Sequence, residues 1–121
     1  MPDTQFDVII VGAGPGGYVG AIRASQLGLK TALVEANHLG GICLNWGCIP
    51  TKALLRSAEI YEHMKQAANF GLGAKEIFFN LQTIVERSRA VSKQLSSGIG
   101  YLLKKNKVKL FDGYGKLLGC G

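Results

Sequence analysis

Cys43 and Cys48 stand with four residues between them in the stretch GGICLNWGCIPTKALL, residues 40 to 55. Cysteines at that offset have three chemical uses: metal ligation, a structural crosslink, or a dithiol–disulfide couple. Zinc takes four ligands, often as two close pairs. The remaining donors are Cys120, His38 and His63, and none forms a ligand pair with its neighbours, so no metal site is expected. A crosslink over so short an offset closes a small loop and gains little entropy. A redox couple accounts for more of the stretch. Cys48 falls at a predicted helix N-terminus, where partial positive charge stabilises a thiolate. Lys52, one helical turn on, brings a cation to the same place. Gly41 and Gly47 let the backbone approach a flat ring system, with Asn45 and Trp46 filling the interval.

A second constellation lies upstream. Gly12-Ala13-Gly14-Pro15-Gly16-Gly17 satisfies G-x-G-x-x-G. The first glycine of such a loop permits the tight turn after a strand, the second lets a diphosphate approach the backbone, and the third lets helix and sheet pack closely. The helix that follows directs free N–H groups and partial positive charge at the phosphates. Glu35, 18 residues after Gly17, is placed to accept hydrogen bonds from ribose hydroxyls, and its charge disfavours a 2′-phosphate. This site fits FAD or NAD, and the loop alone does not choose. The dithiol does: a nicotinamide passes a hydride and couples poorly to a disulfide, whereas a flavin accepts a hydride on one face and exchanges electrons with a thiolate on the other. The residues therefore favour FAD, with Lys52 able to stabilise a reduced, anionic flavin.

The elements that position these residues follow from apolar pattern and punctuation. FDVIIV (6 to 11) is a short apolar run rich in β-branched residues, as in a buried parallel strand. A helix is predicted over 18 to 27, with Val19, Ile22 and Leu27 toward the sheet and Gly28 ending it. TALVE (31 to 35) is a second strand, which completes a βαβ unit. Residues 36 to 47 read as a loop. A helix is predicted to begin around Cys48 to Thr51 and to run to about Ala68, facing inward through Leu54, Leu55, Ala58, Tyr61 and Met64. NFGLGAKEIFF connects it to another helix, about 81 to 104, capped by Asn80 or Thr83 and with Ile84, Val85, Val91, Leu95 and Leu102 inward. VKLFDG (108 to 113) is a third strand, and GYGKLLG begins a fourth. The expected fold class is α/β: a partial, truncated Rossmann-like FAD-binding domain with a βαβ unit, two long helices and a further strand.

Bulk properties exclude several classes. The 121 residues suit one domain or part of one, and 47% are apolar. No run reaches the roughly 18 apolar residues of a membrane span. The acidic start MPDTQFDVII is unlike a secretory leader, and a cytoplasmic chain is expected. Net charge is +6, but the lysines cluster in KKNKVK (104 to 109) without interleaved aromatics, so a solvated helix end is expected rather than a nucleic-acid surface. Cys120 lies outside any motif and reads as an incidental thiol.

DVIIVGAGPGGYVGAIRASQLGLKTALVE, GGICLNWGCIPTKALL and GYGK together resemble the N-terminal FAD-binding region of the dihydrolipoamide dehydrogenases, the E3 components of 2-oxo acid dehydrogenase complexes, among the pyridine nucleotide-disulfide oxidoreductases. The resemblance covers essentially the whole chain. Glutathione and mercuric reductases share the cysteine frame, but Leu44-Asn45 and Ile49-Pro50 lean toward the lipoamide enzymes. The resemblance implies roles. Cys43 would be the interchange thiol and Cys48 the charge-transfer thiolate facing the flavin. Gly12, Gly14, Gly16 and Gly17 would hold the diphosphate and Glu35 the adenosine ribose. Ala36, Gly41 and Ile42 would also bind FAD, Lys52 would lie against the flavin ring, and Gly115 would meet the adenine side. Electrons would pass from the dihydrolipoamide of lipoyl domains through the disulfide and FAD to NAD⁺, in a homodimer. Family members add an NAD domain, the rest of the FAD domain, and a dimerisation domain supplying a His–Glu acid/base pair. The 121 residues therefore read as the N-terminal part of an FAD-binding domain, without turnover of its own. The rival readings are a non-catalytic flavin-binding fragment and another disulfide reductase, of the glutathione or mercuric reductase type.

Overall fold

A computed structural model describes residues 4–119. The elements in order are β1 (Val8–Val11), α1 (Pro15–Gln26), β2 (Thr31–Glu35), α2 (Gly41–Trp46), α3 (Cys48–Lys65), a 3₁₀ turn (Ala67–Phe70), α4 (Leu81–Lys105) and β3 (Lys109–Asp112). The three strands form one parallel sheet in the order β1-β2-β3. Val8 pairs with Thr31 and Val11 with Val34 on one side of β2; Ala32 pairs with Lys109 and Glu35 with Asp112 on the other. All three strands thus end on the same side of the sheet, where open α/β sheets bind ligands.

The βαβ unit forms as the sequence predicts, but α1 begins three residues early, at Pro15. Proline lacks an N–H that the first helical turn would leave unpaired, and its fixed φ suits that position. Gly28 follows the helix at φ +89°, a conformation that costs glycine little. The central strand β2 buries Thr31, Ala32 and Leu33 almost completely. Around Leu33 a core gathers Ala13, Ala21, Leu44, Ile99, Leu103 and Val108, with Ile10, Tyr18, Ile22, Leu39, Ile49 and Leu110 at its margin. Every element from β1 to β3 contributes to it except the 3₁₀ turn.

The predicted inward faces are only partly correct. On α1 the buried residue is Ala21 and Ile22 reaches the core margin, while Val19 and Leu27 are more than half exposed. On α3 Pro50 and Ala53 are buried; Leu54, Leu55, Ala58 and Met64 are exposed, and only Tyr61 is half-buried. On α4 the buried line is Ser88, Ser92, Ile99 and Leu103, not Val85, Leu95 and Leu102, and Ile84 and Val91 are half-buried. These helices carry apolar residues around more than one face, so the period alone leaves two candidate stripes. Packing against the neighbouring elements decides between them, placing Ala53 of α3 and Ser88 and Ser92 of α4 inside together with Ile99 and Leu103. β1 is likewise not buried on both faces: Ile10 packs against the core, whereas Ile9 and Val11, on the opposite face, are 58% and 59% exposed.

Three further differences are local. The loop predicted over 36 to 47 contains the helix α2. The helix predicted to run to Ala68 ends at Lys65 and continues as the 3₁₀ turn. GYGKLLG, expected to start a fourth strand, joins no ladder in the described residues. It pairs with nothing beyond Gly113, whose N–H donates to the Glu35 carbonyl at 2.8 Å. The cap was legible: Asn80 Oδ1 accepts from Thr83 N at 3.0 Å. Lys104 and Lys105 stand exposed in the last turn of α4. Among the described residues no helix is long and apolar enough to cross a membrane. Cys120 lies outside the described residues.

Candidate functional site

The glycine loop joins β1 to α1 at the carboxyl edge of the sheet. Its turn needs Gly12 at φ +100°, a region that costs residues with a Cβ. Gly17 is fixed by contact: a Cβ there would lie 1.8 Å from the Gly12 carbonyl oxygen. At Gly14 and Gly16 a Cβ would meet nothing within 4 Å. These two glycines therefore face open space at the N-terminus of α1. The loop is tied to β2 by its backbone, with Gly12 N donating to Val34 O at 2.7 Å.

Glu35 stands at the end of β2, beside this loop. One carboxylate oxygen accepts from Ala13 N at 2.7 Å and the other from Asn37 N at 2.8 Å. Burial alone would push the carboxyl up, but the backbone N–H groups of Ala13, Asn37 and Ala36, with the charge of His38, hold it below the usual carboxylate range. Each oxygen keeps a further lone pair for a hydroxyl donor. Ala36 follows directly and is half-buried.

The chain then returns to the loop. Gly40 N donates to Ala13 O at 2.8 Å, and both Gly40 and Gly41 take positive φ. A Cβ on Gly41 would lie 2.8 Å from Gly14 Cα. The segment that opens α2 is thus packed on the glycine loop. Ile42, next in line, is 74% exposed. Gly115 closes the group from the C-terminal side, where a Cβ would lie 2.8 Å from Val11 Cγ1. Gly12, Gly14, Gly17, Glu35, Gly41 and Gly115 are therefore brought together at the ends of β1 and β2.

Cys43, on α2, and Cys48, the first residue of α3, are joined by a disulfide. Cys43 is half-buried and Cys48 exposed. Gly47 alone separates the two helices, and a Cβ there would lie 3.2 Å from Ile42 O. Cys48 occupies the first turn of an 18-residue helix, whose unpaired N–H groups favour a thiolate. Lys52 is exposed one turn further along α3, and its helix places it on the same support as Cys48. Among the described residues no cluster of His, Cys, Asp and Glu is arranged for a metal ion.

Asn45, which the sequence places between the cysteines, locks this segment together with Arg89 and Ser96, which no motif marks. Asn45 Nδ2 donates to Leu39 O at 3.0 Å and Gly41 O at 2.9 Å. Arg89 Nη1 on α4 donates to Asn45 O at 2.8 Å, and Ser96 Oγ to Leu39 O at 2.9 Å. Side chain-to-carbonyl bonds between residues 44 and 57 positions apart leave no spacing to read. Asn45 had a weaker signal, since a short amide side chain inside a glycine-bounded turn bonds local backbone.

Comparison with known proteins gives this arrangement a family. The family model described as pyridine nucleotide-disulphide oxidoreductase matches residues 6–120. The chain belongs to this family. Among curated members of the pyridine nucleotide-disulphide oxidoreductases it is 60% identical over 118 residues to a dihydrolipoyl dehydrogenase of Rhizobium etli, covering 97% of this chain and 24% of that protein. It is 51% identical over 116 residues to a dihydrolipoyl dehydrogenase of Bacillus subtilis, covering 96% and 24%. The chain spans about a quarter of the length of these relatives. In fold it is similar to a crystal structure of LpdA from Mycobacterium tuberculosis, with a TM-score of 0.81 at 24% identity over 93% of this chain and 24% of that one. The truncated Rossmann-like reading of the sequence is thereby met by a three-stranded parallel sheet with this neighbour.

Proposed function

We propose that these residues are the N-terminal, flavin-binding and dithiol-bearing part of a dihydrolipoyl dehydrogenase. The observation that carries the reading is the join between the two halves of the site: Gly41, two residues before the bonded Cys43, packs on Gly14 of the glycine loop. A cofactor cradle and a disulfide are thus on one continuous support. Relatives named dihydrolipoyl dehydrogenase at up to 60% identity support the substrate class.

The residues fit FAD. Gly12, Gly14, Gly16 and Gly17 with the N-terminus of α1 would take the diphosphate, Glu35 and Ala36 the adenosine ribose, and Gly115 the adenine side. Gly41, Ile42 and Lys52 would line the path toward the ring. FAD, when bound, supplies a two-electron acceptor for the dithiol, and NAD⁺ would drain it through a domain these residues do not include. The chain's own step is thiol–disulfide exchange. One thiolate of dihydrolipoamide attacks Cys43 Sγ, the Cys43–Cys48 bond breaks, and Cys48 leaves as thiolate. The second thiol of the substrate attacks the substrate sulfur of the mixed disulfide and expels Cys43. Two electrons pass to the cysteine pair, Cys48 stays as the thiolate, Cys43 takes the proton of the second substrate thiol, and the substrate leaves as its own cyclic disulfide. The N-terminus of α3 and Lys52 stabilise the Cys48 leaving group. The partner would be the lipoyl domain of a 2-oxo acid dehydrogenase complex, in a homodimeric cytoplasmic enzyme.

The test is alkylation mass spectrometry on the 121-residue protein with flavin titration alongside. Dihydrolipoamide is expected to raise the alkylated thiols from one to three, counting Cys120, under native conditions. Added FAD is expected to bind saturably, with Gly14→Val weakening it by about tenfold, some 1.4 kcal/mol. No steady NAD⁺ reduction is expected from this chain. A pair that opens only after denaturation, or FAD uptake indifferent to Gly14→Val, sinks the reading.

A further inference from the structure

Three side chains of α4 reach across to backbone carbonyls of the segment that carries the cysteines: Ser96 to Leu39, Arg89 to Asn45 and Arg87 to Ala53, at 2.9, 2.8 and 3.1 Å. They do not act alike. Ala53 lies within α3, where the helix already fixes the backbone. Asn45 lies between the two cysteines, at the end of the six-residue α2, where carbonyls have no partner within the helix. Leu39 lies just ahead of it, and its carbonyl also accepts from Asn45 Nδ2. Asn45 is therefore held twice: its amide to the turn before Cys43, its carbonyl to α4.

We infer that Arg89 and Ser96 are positioning residues that keep the Cys43–Cys48 interval in the geometry that re-forms the disulfide. The inference rests on the redox reading of the pair. When the disulfide opens, no covalent bond holds the interval, and its freedom to relax sets how often the two sulfurs meet. Ties to α4 restrict that freedom in the dithiol form, where it is otherwise largest, and so favour the disulfide. Arg89 is exposed, which keeps the effect modest. Its charge acts in the opposite sense: a cation near a thiolate favours the reduced pair, so losing it favours the disulfide. The sign of the change separates the two roles.

The experiment equilibrates the 121-residue protein with mixtures of reduced and oxidised dithiothreitol and counts free thiols by alkylation. The reaction exchanges one disulfide and one dithiol on each side, so its constant compares the pair directly. Arg89→Met is expected to move the constant toward the protein dithiol by about three- to tenfold, tenfold being about 30 mV. Arg89→Gln, which keeps a donor without the charge, is expected to recover part of the shift. Arg87→Met is expected to lower thermal stability and leave the constant in place. Should Arg89→Met not fold, Ser96→Ala is read by the same criterion. An unmoved constant, a shift toward the disulfide, or an equal shift in Arg87→Met overturns the inference. Failure of the wild-type pair to be reduced at all would instead strike the proposed function.

Discussion

The Glu35 carboxylate is engaged on both oxygens by backbone N–H groups, from the glycine loop at Ala13 and from its own turn at Asn37. It is a fold determinant as well as a candidate ribose ligand, because Ala13 N belongs to the loop that must hold its shape before any cofactor arrives. The pH consequence follows from the sign of its shift. Its folded pKa lies below the ordinary 4.5, so the stability it contributes is fully present above about that value and is lost as pH falls through the folded pKa. Glu35→Gln is expected to lower stability at pH 7 by about 1 kcal/mol, the scale of hydrogen bonds to a charged acceptor in a partly exposed place. Melting curves of both proteins should converge as pH falls below 4.5. A difference that stays constant from pH 7 to pH 3 would remove the carboxylate's charge from the account.

At the scale of elements, the β1–α1 turn separates a glycine fixed by contact from glycines that face open space. A Cβ on Gly17 would sit against the Gly12 carbonyl, whereas one on Gly14 would sit in open space, with φ −69° and ψ −177° that any residue adopts. Gly17→Ala is expected to cost about 3 kcal/mol or more, since backbone must move, while Gly14→Ala is expected to stay within about 0.5 kcal/mol of the parent in urea unfolding. Comparable losses in both would show that the turn yields where the structure has it rigid. This turn was legible in the sequence because its demands are local: a glycine at a fixed offset from a strand and a helix start. Asn80 was legible for the same reason. The helix α2 was not, since Gly40, Gly41 and Gly47 read as loop while two of them cap a helix only six residues long. The buried stripes of α3 and α4 were not legible either. Ser88 and Ser92 lie inside and Leu55 and Leu95 outside, an order that only the neighbouring helix decides. The Arg89 and Ser96 ties depend on where α4 lies across the chain, which no local pattern encodes.

At the scale of the whole molecule, apolar surface stays open on two sides. Among the described residues β1 has a strand partner on one edge only, and Ile9 and Val11 are more than half exposed on one of its faces. A groove of about 500 Å³ between α3 and α4 is lined by Ile60, Tyr61, Met64, Phe78, Phe79 and Ile84, among others, with Phe78 at 78% exposure. Monomeric proteins seldom leave contiguous apolar patches beyond a few hundred Å² uncovered, and an unpaired parallel edge is a template for further pairing. The open edge also bears on the cofactor, because β1 carries the glycine loop and is held from one side only. The 121-residue chain is therefore expected to associate as its concentration rises and to lose FAD on gel filtration, even where equilibrium titration shows binding. Sedimentation velocity across a concentration series, with flavin absorbance followed in each species, tests both expectations. A monomer that keeps one yellow flavin per chain through the column would show that the three strands suffice to hold the loop rigid.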